Sequence, residues 1–124
     1  MEQTNKELLL KDLCSRLPYG VKVTEATQGY FTLIGLTKER VFTTCEVEDC
    51  HNDFPIENIK PYLFPLSSMT EEQRKEYQYI TERCMYDASY SISDSIDYLN
   101  KNHFDYRGLI EKGLAIDATG KDIY

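Results

Sequence analysis

The chain has 124 residues, 41% of them hydrophobic and 12% aromatic, and carries a formal net charge of −7. That length and apolar content suit one buried core, which argues for a single domain over 1–124 and against a disordered chain. The acidic balance argues against broad phosphate-backbone binding, which needs Lys and Arg in excess, so no direct nucleic-acid binding is expected.

Thr4 followed by Glu7 has the spacing of a capping box, in which each side chain satisfies a backbone N–H at a helix start. Leu9, Leu10, Leu13, Cys14 and Leu17 then recur on one helical face, with Lys6, Lys11, Asp12 and Ser15 on the other. An amphipathic helix of about three turns is predicted, stopped by Pro18 and turned by Gly20. From Val21 the period becomes two, predicting a first strand. "YFTLIGL" is apolar on both faces, as a covered central strand is, and "RVFTTCEV" alternates again after a reversal at 37–40. Short connections make these three strands an antiparallel meander.

The stretch 46–57 holds five acids and no Lys or Arg, and Asn52, Asp53 and Pro55 predict a loop. A short fourth strand, "NIKPYL", follows, with Pro61 confining it to an edge or to the strand's beginning. In "KPYLFPLSSMTEEQ" the prolines hold the chain extended. Ser68 with Glu71, or Thr70 with Gln73, then caps a helix running to about Cys84 that buries Tyr77, Ile80 and Cys84. A third helix near Ser91 or Ser93 carries Ile92, Ile96 and Leu99 on one face. "YRGLIEKGL" reads as a short fourth helix closed by Gly113, with Leu114 folding back onto Leu109. The last ten residues show no period and read as a tail or an edge strand.

The fold expected from these elements is α+β: an N-terminal helix, a small antiparallel meander of three to four strands with the option of curling toward an SH3-like barrel, then two to three C-terminal helices. No run approaches the roughly 20 apolar residues of a membrane helix and no leader pattern opens the chain, so a cytoplasmic location without membrane contact is expected. The four cysteines read as free, mostly buried thiols.

Cys45, Cys50 and His51 are zinc-type ligands by chemistry, but their spacing is not that of a C-x2-C knuckle, and no metal or other cofactor is expected. His103, Asp105, Tyr106 and Arg107 lie within one turn, an acid–base set on paper. Adjacent residues at a helix start do not face one another, however, and Asp105 suits a cap. No phosphate loop, Ser-His-Asp order or H-E-x-x-H helix is present, and no catalytic residue is assigned. Glu46, Glu48, Asp49, Asp53 and Glu57, with Asp87, Asp94 and Asp97, offer a phosphate-like surface in principle. Ten tyrosines are the other unusual feature, since tyrosine often lies half-buried at contact surfaces.

"ELLLKDLCSRLPYGVKV", "IKPYLFPLSSMTEE" and "HFDYRGLIEKGLAIDAT", over a third of the chain, resemble in order and spacing a family of small uncharacterised proteins of phages, prophages and mobile elements of gut anaerobes. The resemblance implies a setting and supplies no activity, cofactor or catalytic residue. The reading is therefore a non-enzymatic accessory or interaction protein whose partner is a host or phage protein. Its contact residues are expected among Glu46, Glu48, Asp49, Asp53, Tyr62, Phe64, Tyr106 and Arg107. The alternatives are an acidic DNA mimic that inhibits a host DNA-binding protein, and a small enzyme with a site near His103, Asp105 and Tyr106.

Overall fold

A computed structural model describes residues 2–25, 28–45 and 51–124. Helix α1 (Gln3–Arg16) leads through a 3-10 turn into strands β1 (Lys22–Glu25), β2 (Gln28–Leu36), β3 (Arg40–Thr44) and β4 (His51–Pro55). Strand β5 (Ile59–Pro65) follows, then helices α2 (Glu71–Tyr86) and α3 (Ile92–Lys101), and two short strands, β6 (Phe104–Asp105) and β7 (Ile116–Asp117).

These strands form one seven-stranded sheet in the order β4-β3-β2-β1-β5-β6, with β7 also pairing β5. The pairs from β4 through β5 are antiparallel, whereas β6 and β7 run parallel to β5, so the sheet is mixed. The expected three- to four-stranded antiparallel meander, and the SH3-like barrel with it, is overturned on two counts. First, β4 is a strand despite its Asn, Asp and Pro: Asn52 pairs with Thr43, Asp53 with Phe42 and Phe54 with Val41, and cross-strand pairing overrides local turn preference. Second, β5 returns to the opposite side of the sheet and lies against β1, with Val23 opposite Pro61. Both parallel pairings begin only past Pro61, which has no N–H to donate.

One sheet face supplies Val21, Val23, Leu33, Val41, Ile59 and Leu63 to a core completed by Leu9 and Leu13 of α1, Ile56, Leu109 and Leu114. Burying each such side chain is worth roughly 1.5–3 kcal/mol. Within α1, Asp12 and Arg16 are also fully buried, joined at 2.8 Å, although Asp12 was expected on the polar face. Cys14 is exposed, against the expectation of a buried thiol, while Cys45 and Cys84 are intermediate.

The helix caps divide. α1 begins at Gln3, one residue before Thr4, so Thr4 caps nothing, and Gln3 Nε2 instead donates to Glu7 at 3.3 Å. At α2 both bonds of the capping box form: Gln73 N–H donates to Thr70 Oγ1 at 3.1 Å and Thr70 N–H to Gln73 Oε1 at 2.9 Å. At α3, Ser91 N–H donates to Asp94 at 2.7 Å. The predicted fourth helix is only a set of turns over 109–113. Its closure nevertheless forms: Leu114 N–H donates to Leu109 O at 2.9 Å and Gly113, at φ 73°, to Ile110 O at 3.1 Å.

Chemical denaturation separates the two caps. Thr70→Ala is expected to cost about 1 kcal/mol, whereas Thr4→Ala should stay within about 0.5 kcal/mol of the parent. Equal losses would contradict the assignment.

Candidate functional site

Three regions gather the polar and aromatic residues. The first is a buried network at the end of α1. Asp12 bonds Arg16 Nε at 2.8 Å and Arg107 Nη1 at 2.8 Å, and Arg16 Nη2 donates to Phe104 O at 2.6 Å. Arg107 also donates to Ser15 Oγ at 3.3 Å. Both guanidinium groups face the Tyr106 ring, at 5.3 Å for Arg16 and 4.6 Å for Arg107, and the Tyr106 hydroxyl donates to Asn100 Oδ1 at 2.9 Å. Arg107 and Tyr106 are thus spent on internal contacts.

The second region surrounds His103, a buried residue in the left-handed conformation at φ 62°. Its ring stacks on Tyr124 with centroids 3.8 Å apart and planes 16° from parallel, and its Nδ1 has no protein partner. Tyr124 reaches back to the sheet: its hydroxyl accepts from Lys22 N–H at 2.7 Å and donates to Tyr62 O at 2.9 Å. That bridge sits one position beyond the Val23–Pro61 pair, joining β1 to β5. The residue as a whole is 42% exposed, yet burial of the phenol raises its pKa. Burial, and after it the charges of Arg16 and Lys22, lower the His103 pKa to about 4.

Beside Tyr124 lies Phe64, half-buried, its ring 5.8 Å from Tyr124 and 6.4 Å from Phe104. It lines a groove of about 250 Å³ whose other walls include Ser68, Thr70 and Gln73. The run "KPYLFPLSSMTEEQ" therefore turns the chain from strand to helix and also lines a surface groove. Tyr62 is only 7% exposed and donates to Gly29 O at 3.1 Å, so it is interior where a contact residue was expected.

The third region is the far end of the α2–α3 hairpin. Helix α2 has sixteen residues and none is buried. Tyr77, Ile80 and Cys84, expected in the core, are only half-buried, and α2 packs chiefly on α3 through Tyr77 and Tyr98, 6.1 Å apart. The Tyr98 hydroxyl donates to Gln73 O at 3.2 Å and to Glu76 at 3.1 Å, and burial first, then Glu76, raises its pKa to about 12. At the tip Met85, Tyr86 and Ile92 are 74%, 83% and 77% exposed. Ile92 was expected on the buried face. The tip is held by a local turn, in which Asp87 accepts from Ser89 N–H at 2.9 Å and from its hydroxyl at 2.7 Å, and Cys84 donates to Ser91 O at 2.8 Å.

Glu46, Glu48, Asp49 and Cys50 lie outside the described residues. Asp53 pairs with Arg40 at 2.5 Å and Glu57 with Lys6 at 3.1 Å. His51 is exposed on β4, and Cys45 accepts weakly from Asn52 Nδ2 at 3.9 Å. Among the described residues no three His, Cys, Asp or Glu side chains are grouped to hold a metal. Asp105 is buried and accepts from the Leu109 and Ile110 N–H groups at 3.0 and 2.9 Å, bracing turns where it was expected to cap a helix. His103, Asp105 and Tyr106 thus contact three separate sets of partners and do not converge. Sequence reasoning missed Met85, Tyr86 and Tyr124; the dense tyrosines of 77–98 were the available signal, but spacing cannot tell a half-covered helix from a buried one.

Comparison with protein-family models, curated proteins and solved structures finds no match.

The His103 environment has a pH signature. The ring is neutral in the fold down to about pH 4, while in the unfolded chain it takes up a proton near 6.5. Its contribution is complete above pH 6.5 and is lost as the pH falls toward 4. Asn tolerates the left-handed backbone, so His103→Asn should reduce the loss of stability across that window by on the order of 2 kcal/mol, measured by urea titration at several pH values. Parallel curves for parent and variant would refute this.

Proposed function

We propose that the chain is a non-enzymatic interaction protein that binds another protein through the tip of the α2–α3 hairpin. One observation carries the reading: Met85, Tyr86 and Ile92 combine high exposure with a locally fixed turn. Large apolar side chains held out in water at one turn are costly to solubility and suit a contact surface, and fixing them beforehand lowers the entropy lost on binding. The resemblance of three segments to proteins of phages and mobile elements supports an accessory role in such an element, in the cytoplasm, with a host or phage protein as partner. Among the described residues no helix is long and apolar enough to cross a membrane.

The alternatives draw less support. A DNA mimic needs free acids on one face, yet Asp53 and Glu57 hold cations and Asp87 and Asp94 hold turns and caps. An enzyme near His103 needs convergent groups, and Asp105 and Tyr106 are committed elsewhere.

The test is affinity capture from the native host with the parent and with Met85→Ser/Tyr86→Ser/Ile92→Ser. Loss of one stoichiometric partner at least tenfold, with thermal stability unchanged within about 0.5 kcal/mol, is expected for exposed positions. Undiminished capture of the same partner would contradict the assignment.

A further inference from the structure

The groove beside Phe64 lies apart from the hairpin tip, and its chemistry is specific. Phe64, half-buried, gives it an accessible phenyl ring, backed by Phe104, which is 2% exposed and tilted 59° to it. Among the described residues its lining carries no charged side chain. Two amides border it with capacity to spare. Asn102 donates through Nδ2 to Tyr98 O at 2.9 Å, which leaves its Oδ1 uncommitted. Gln73 accepts through Oε1 from Thr70 N–H at 2.9 Å, which leaves its Nε2 uncommitted.

We propose that this groove binds one neutral planar ring bearing an amide edge, of the nicotinamide or pyrimidine-base type. The accessible Phe64 ring favours a flat π face. The free acceptor of Asn102 and the free donor of Gln73 match the donor and acceptor of an amide. A charged ligand would find no counter-ion in that lining and would give up part of its hydration without return. Size sets the upper bound: about 250 Å³ falls just below the roughly 300–1,000 Å³ of drug-sized sites, so one ring fits better than two. The run from Phe64 to Gln73 then has two uses, turning the backbone and presenting the ring and amide that hold a ligand.

The probes are nicotinamide and uracil, with benzoate as the charged control and cyclohexanecarboxamide as the non-planar one, titrated into 15N-labelled protein and followed by amide shifts. Saturable binding with a Kd on the order of 1 mM is expected for at least one planar amide, the scale for so few heavy atoms. Shifts should centre on Phe64, Gln73 and Asn102, and both controls should bind at least about fivefold more weakly. Ser68→Leu, which fills the groove, should abolish saturation. Phe64→Leu, which keeps apolar bulk, should weaken it about two- to tenfold and serves if the first variant does not fold. No saturation by either planar amide, equal binding of a control, or shifts centred elsewhere would overturn the proposal. Because the hairpin-tip triple variant leaves the groove untouched, it should bind the probes like the parent whether or not the tip reading holds.

Discussion

A single buried carboxylate ties the two ends of this chain together. Asp12 sits in α1 with no solvent exposure and faces two guanidinium groups, one four residues on and one at Arg107. A charge in that position is costly to desolvate, and only close partners offset the cost. Arg16 passes the constraint further by donating to the carbonyl of Phe104, so the start of β6 is held against α1. Tyr106 lies against both cations, and the segment is fixed by ion pairs, a backbone bond and ring contacts at once. Replacing such a cluster by apolar residues is often neutral for stability, so its value here is positional.

That position matters because the surface features hang from it. Phe104 begins β6, pairs with Phe64 in register and walls the groove with it. His103, one residue earlier, takes the left-handed conformation and stacks on Tyr124, whose hydroxyl joins β1 to β5. The α2–α3 hairpin, by contrast, is tethered mainly through the α3–β6 junction and through contacts between its own helices. Its tip consequently exposes Met85 and Tyr86 while the core stays covered. Rigid anchoring at one end and an exposed apolar tip at the other is a division that suits a binding module.

What could be read from the sequence was local. The Thr70–Gln73 box and the Gly113 closure depend on residues at most five apart, and both form. The alternation of β3 was also legible, since that strand has one buried face, whereas β1, read as alternating, is buried on both. The long-range features were not. Asp12 reads as a solvated helix residue until Arg107, 95 positions away, is placed beside it. His51–Pro55 reads as a loop because its strand character comes from β3, and the tail reads as aperiodic because β7 contributes two residues to a sheet built elsewhere. Tyr62 and Tyr124 show the same limit: their hydroxyls find backbone partners 33 and 62 residues distant, so Tyr62 is buried and Tyr124, though exposed as a residue, has its hydroxyl bonded inside the fold, although tyrosine composition suggested a contact surface. Ile92 errs in the opposite sense, because helical spacing identifies an apolar face without saying whether anything covers it.

Hydrogen exchange on Asp12→Asn bears most directly on the claim that this carboxylate positions the C-terminal segment. Asparagine keeps the size and removes the charge, leaving Arg16 and Arg107 without their counter-ion. Amides from Phe104 to Leu114 should lose protection by about a hundredfold or more, the consequence of roughly 3 kcal/mol withdrawn from a buried pair, while α2 beyond Gln73 keeps its parent rates. Unchanged protection over that segment, or a uniform loss across every element, would contradict it.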